Sequence, residues 1–212
     1  MVMKLSDCGV RTSGAVSVFA MGDRLAVWGC VPVHPAGVTG RPCYSQVGAG
    51  SLLVMAINQG DKVDDFELPD QDGVPRRLTE LLAGGPVVLF FYPAAMSSGC
   101  TAEACSFRDL AAEFREAGAQ RVGISRDKPA KQKQWAELNS FDYPLLSDPD
   151  STVAAALGVK RKLPLGPLST KRITFVIDTD RTVLEVIHSE TNMQEHAAKA
   201  LETLSARKPA AE

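Results

Sequence analysis

The sequence predicts an α/β layered domain over residues 55–207, and three observations carry that prediction. Short apolar, β-prone runs alternate with helical stretches along the whole span, the arrangement of a sheet covered by helices. Residues 87–91, Val-Val-Leu-Phe-Phe, have no polar face, as expected of a central strand buried on both sides. Phe107, Leu110, Ala111 and Phe114 recur at i, i+3, i+4 and i+7, the apolar stripe of an amphipathic helix.

The elements follow in order. Residues 66–68 and 74–77 flank an Asp72-Gly73 turn signal, which predicts an opening N-terminal hairpin. A short helix comes next, then the core strand 87–91. A helix begins after Gly99 and runs to about Gly118. Residues 121–125 read as a strand and 129–139 as a helix. Residues 151–157 read as a short helix that Ser151 can cap and Gly158 can end. Residues 174–178 and 183–187 form two strands joined by the tight link 179–182, and 193–204 form a closing helix. Internal repeats and low-complexity tracts are absent.

Composition excludes several classes. The 212-residue chain is 45% hydrophobic, enough for a real core, with a net charge of −2 and a pI near 6.0. It supplies no broad field to gather nucleic acid or coat an anionic membrane. No run reaches the roughly 18 to 20 apolar residues of a membrane span. Residues 15–21 have the length of a signal core but lack its cleavage pattern and basic-only flank. Five cysteines, an odd number, with no export signal indicate a reduced cytoplasmic setting. Residues 1–54 show no sustained period and read as a poorly ordered extension, arising either from a misassigned start codon or as a regulatory segment carrying Cys8, Cys30 and Cys43. Those cysteines have only His34 nearby and no metal-ligand spacing. Residues 208–212 are a C-terminal tail.

The segment 90–109 carries the chemistry. Cys100 stands in the first turn of a helix, where unpaired N–H groups and the positive helix end favour an anionic sulfur. It is one heptad before Phe107, on the apolar face, so its sulfur points inward. Cys105 is five residues on, about 140° around the helix and about 7.5 Å along it, which separates the Cα atoms by roughly 8 to 9 Å. A disulfide needs about 7 Å or less, so a bridge between the two requires the first helical turns to unwind. The plainer reading makes both thiols inert core filling.

The surrounding residues resemble the peroxiredoxin signature. Pro93, Ser97 and Cys100 match its order and spacing, and Cys105 stands where the peroxiredoxin Q branch, or bacterioferritin comigratory protein branch, places its resolving cysteine. The resemblance covers about residues 60–204. It implies a thioredoxin-like fold, a central mixed β-sheet flanked by helices. It also implies a peroxidase that reduces hydrogen peroxide and organic hydroperoxides to water and alcohols. The implied route is a Cys100 sulfenic acid and a Cys100–Cys105 disulfide, recycled by thioredoxin, in a monomer without metal or other cofactor.

Arg172 matches the arginine that the family brings from a distant strand to hold the thiolate and polarise the peroxide. Glu103 matches a position that braces the site, or else pairs with the positive helix end. Two positions depart from the pattern. Ser97 replaces threonine, keeping the hydroxyl but losing the stiffening methyl. Ser98 replaces the branch's usual proline, removing a fixed φ.

Two other functions compete. A thioredoxin-like disulfide oxidoreductase would want C-x-x-C, whereas four residues separate these cysteines. A redox-sensing or binding module would use the disulfide switch without turnover. Lys160, Arg161, Lys162 and Lys171 read as a solvated loop face, and His188 and His196 as exposed histidines.

Overall fold

The computed structural model describes residues 56–165 and 168–207, with backbone alone over 162–165 and at 168. The extension 1–54, with Cys8, Cys30, Cys43 and His34, and the tail 208–212 lie outside the described residues. The elements run β1 (Glu67–Pro69), β2 (Pro75–Arg77), α1 (Leu78–Leu82), β3 (Val87–Phe91), α2 (Ser98–Asp109), α3 (Ala111–Glu116), β4 (Gln120–Ser125), α4 (Pro129–Asn139), β5 (Leu145–Ser147), α5 (Thr152–Ala156), β6 (Lys160–Leu165), β7 (Leu168–Thr170), β8 (Ile173–Ile177), β9 (Val183–His188) and α6 (Met193–Ala206). β1 and β2 form the expected hairpin.

A five-stranded mixed sheet in the order β5-β4-β3-β8-β9 forms the centre, with β3, β4 and β5 parallel and β8 and β9 antiparallel. β3 is buried at every residue, and its side chains alternate between two cores as the strand period requires. Val88 and Phe90 join Phe107, Phe114, Trp135, Ala197 and Leu204 beneath α2, α3, α4 and α6. Val87, Leu89 and Phe91 join Leu78, Leu82, Val153 and Leu157 beneath α1 and α5. Gly123 lets the sheet close on the first core, because a Cβ there would lie 2.8 Å from Leu145 Cδ2 and 2.9 Å from Phe90 Cζ.

Four expectations are corrected. The helix predicted from Gly99 to Gly118 is two helices, broken at Leu110, whose φ of −96° and ψ of 25° leave the helical region. Phe107 and Phe114 remain buried across the break. Ser151 precedes α5 with a left-handed φ of 56°, and its hydroxyl accepts no helix N–H. The Asp148 carboxylate does that work instead, accepting from Thr152 N at 2.8 Å and Ala154 N at 2.9 Å. Of the basic residues read as a loop face, Lys160, Arg161 and Lys162 lie on β6 of the β6–β7 hairpin and Lys171 follows β7, and Arg161 pairs with Glu190. The fourth concerns His196, which is fully buried, because it lies on the inner stripe of α6 with Ala197, Ala200 and Leu204. His188 is exposed as expected. The short strand β5, with only three residues, has too little pattern to be seen locally.

Candidate functional site

The site forms where β3 leaves the sheet. Its last residue, Phe91, pairs with Ile173, the first residue of antiparallel β8. That register sets Arg172, one residue earlier, beside the β3 exit, from which residues 92–97 lead into α2. Clefts at the carboxyl ends of parallel strands are the usual ligand positions of such sheets.

The loop is held from below. The Asp127 carboxylate accepts the Ala95 N–H at 2.6 Å and the Ser125 hydroxyl at 3.0 Å, and the Tyr92 hydroxyl donates to Gln132. Pro93 is buried in this turn. Met96 adopts a left-handed φ of 68°, a conformation costing a non-glycine residue about 1 kcal/mol or more. Ser97 then takes the extended N-cap conformation of α2, with φ of −77° and ψ of 148°. Its exposed hydroxyl donates to Ala94 O at 3.0 Å, which leaves the oxygen's lone pairs free to accept.

Cys100 is the third residue of α2 and is 1% exposed. The first intrahelical bond runs from Thr101 N to Ser97 O, so the N–H groups of residues 98–100 have no helical acceptor. Arg172 Nη2 donates to Cys100 Sγ at 3.4 Å. Arg172 Nη1 donates to Glu103 Oε2 in a buried ion pair. Burial pushes the Glu103 carboxyl up to about 7, against the pull of the guanidinium. Burial works against the Arg172 charge, yet the net shift is upward because Glu103 and the Cys100 sulfur favour it. Glu103 thus meets Arg172 directly. The alternative, pairing with the helix end, fails because the residue lies in the second turn with its charge turned inward.

Cys105 is half-buried against the same core, and neither it nor Cys100 is in a disulfide. Both lie within the unbroken helix α2, whose geometry keeps their Cα atoms beyond bridging distance. The Tyr143 hydroxyl donates to Ala104 O at 2.7 Å and Trp135 Nε1 to Thr101 Oγ1 at 3.2 Å, so the segment that must open is pinned at two points.

The structure thus gathers Cys100, Glu103 and Arg172 directly, sets Pro93 and Ser97 on the rim, and holds Cys105 apart. Sequence reasoning missed Asp127, Tyr143 and His196. Each acts across more than twenty residues of chain and carries no local motif. His196 alone had a legible signal, its place on the apolar stripe of a closing helix. Among the described residues no cluster of three or more His, Cys, Asp or Glu could hold a metal ion, and no helix is long and apolar enough to cross a membrane.

Comparison with known proteins agrees with this geometry. Residues 59–186 match the AhpC/TSA family. The peroxiredoxin Bcp of Escherichia coli is 38% identical over 143 residues, covering 66% of this chain and 91% of that protein. The crystal structure of peroxidoxin BcpB from Mycobacterium tuberculosis superposes with a TM-score of 0.69 at 63% identity, covering 72% of this chain and 99% of that one. The bacterioferritin comigratory protein of Xanthomonas campestris, described for its alkyl peroxide reduction activity, superposes with a TM-score of 0.61 at 28% identity, covering 66% and 90%. A thiol helix start clamped by a strand-borne arginine, on a thioredoxin-like sheet shared with these proteins, makes the chain a member of the AhpC/TSA family, a thiol-dependent peroxidase of the peroxiredoxin Q or bacterioferritin comigratory protein branch.

Proposed function

We propose that this peroxidase works through Cys100, with Cys105 as its disulfide partner and thioredoxin or a similar dithiol as reductant. The observation that carries the reading is the 3.4 Å contact of Arg172 Nη2 with the Cys100 sulfur at the N-terminus of α2. A peroxide oxygen approaching Sγ meets the guanidinium, the free N–H groups and the Ser97 oxygen, which suit an O–O bond that gains negative charge as it breaks. The Cys100 thiolate attacks one peroxide oxygen, forming an S–O bond with the sulfur electron pair. The O–O bond breaks, and the departing hydroxide or alkoxide takes a proton to become water or alcohol. The Cys105 thiolate then attacks the sulfenic sulfur, hydroxide leaves as water after protonation, and the external dithiol reduces the resulting disulfide.

Both hydrogen peroxide and organic hydroperoxides are the proposed substrates, the latter supported by the alkyl peroxide activity described for the Xanthomonas relative. We read residues 55–207 as the catalytic unit, acting as a monomer in the reducing cytoplasm, where the two free thiols would be regenerated. The test is steady-state peroxide consumption with a thioredoxin system, followed by mass spectrometry. Cys100→Ser abolishes turnover. Cys105→Ser stops at Cys100 sulfenic acid after one turnover unless a small thiol replaces it. Full turnover by Cys100→Ser would overturn the assignment.

A further inference from the structure

Behind Arg172 lies a buried group that the peroxidase chemistry leaves unused. His196, on the inner face of α6, is fully buried. Its Nε2 lies 2.8 Å from Ser189 O, and because a carbonyl only accepts, Nε2 bears a proton. Its Nδ1 lies 2.9 Å from Thr174 Oγ1 and 3.7 Å from Glu103 Oε1. That Glu103 oxygen is buried and has no hydrogen-bond partner, although the other carboxylate oxygen holds Arg172. In the neutral ring Nδ1 accepts the Thr174 hydroxyl, so Glu103 Oε1 is the unmatched atom of the pair. Ionised, it would face a nitrogen lone pair 3.7 Å away inside the protein, and one proton, on Oε1 or on Nδ1, relieves that opposition.

We propose that His196 is a positioning residue for the peroxidase site, sharing one buried proton with Glu103 so that the Glu103 carboxyl is held where it orients the Arg172 guanidinium toward Cys100. The inference rests on the reading of Cys100 and Arg172 as the reacting pair. With the proton present, the Glu103–His196 unit is neutral, and Arg172 is the one cation facing the sulfur. Without it, carboxylate and thiolate compete for the same guanidinium. Burial raises Glu103 to about 7 and lowers His196 below its ordinary value, with Arg172 adding to the latter, so Glu103 holds the proton more firmly than the imidazole and releases it near neutrality. The other groups bearing on the pair are few. Tyr92 at the β3 exit senses the charges of both Cys100 and Glu103. His188 at the end of β9 and Glu195 on α6 act on His196. Glu190, in the turn between β9 and α6, acts on Glu103 and is itself paired with Arg161 at 2.6 Å.

The test measures the second-order rate of Cys100 oxidation by hydrogen peroxide in the full-length protein, from about pH 6 to 8, by stopped-flow tryptophan fluorescence in a Trp28→Phe background. His196→Leu is compared alone and combined with Glu103→Gln, and His196→Asn keeps a polar atom near the Nδ1 position. His196→Leu should slow oxidation roughly tenfold in the parent and less than about twofold in Glu103→Gln, because residues acting as one unit are not additive. His196→Asn should recover most of the rate while displacing the pH inflection, and it serves as the probe if the leucine variant does not fold. Equal effects of the His196 substitutions in both backgrounds, or a parental rate and pH profile in the variants, would overturn the proposal. Peroxide consumption that survives Cys100→Ser would instead overturn the underlying assignment, so the two failures are distinguishable.

Discussion

At Cys100 the chemistry depends on two neighbours that the chain delivers from far apart: the free N–H groups of its own helix, and Arg172, seventy-two residues on. The arginine makes two contacts at once, Nη1 to Glu103 and Nη2 to sulfur, which uses the planar fork that lysine lacks. Arg172→Lys keeps the charge but not both contacts. It should lower the rate of peroxide reduction roughly 10²- to 10³-fold, the usual cost of one lost oxyanion donor, measured by stopped-flow oxidation of Cys100.

Helix α2 has to be stable enough to build the site and weak enough to open for the disulfide. Its opening segment is pinned by the buried bond from Tyr143 to Ala104 O and by the Trp135 bond to Thr101. Tyr143→Phe removes about 1 kcal/mol of closure, so disulfide formation after a peroxide pulse should accelerate roughly fivefold, as read by rapid-quench mass spectrometry. Ser98 acts in the opposite sense. It is the first residue of α2 and follows Ser97, whose ψ of 148° is the extended conformation proline requires before it. Ser98→Pro should therefore stabilise closed α2 by about 0.4–1 kcal/mol and slow disulfide formation roughly two- to fivefold. The serine that departs from the branch pattern is thus expected to make opening easier, an outcome that the Ser98→Pro rate comparison checks.

Across the whole molecule, Glu103 and His196 make stability depend on pH in opposite senses. Glu103 titrates near 7 in the folded chain against an ordinary 4.5. Between those values the folded state keeps a proton that the unfolded state releases, so this contribution to stability falls as pH rises through the window, by about 3 kcal/mol in all. The His196 value is lowered from 6.5, chiefly by burial, so the unfolded chain takes up a proton first as pH falls, and stability is lost below that point. Urea denaturation from pH 5 to 8 should show a declining limb in the native protein that Glu103→Gln lacks. A limb of equal slope in both would assign the decline to other groups.

The α/β class, the hairpin, the central strand, helix α4, the paired strands β8 and β9 and the closing helix were legible because each rests on local periodicity or turn chemistry within one short stretch. The grouping of Pro93, Ser97, Cys100 and Cys105 in one short stretch of chain was visible too, and the resemblance to the family's strand singled out Arg172, whose guanidinium lies against Cys100. The sequence alone also required that the two thiols could not bridge within an intact helix, since that follows from helical rise and rotation. Only the tertiary structure decided the break at Leu110, the capping of α5 by Asp148, the pairing of Glu103 with Arg172 and the placing of His196 beside Glu103. Each depends on what a side chain meets across the fold: Glu103 and His196 are ordinary polar residues of two helices until packing against β8 closes them from water and sets Arg172 against Glu103.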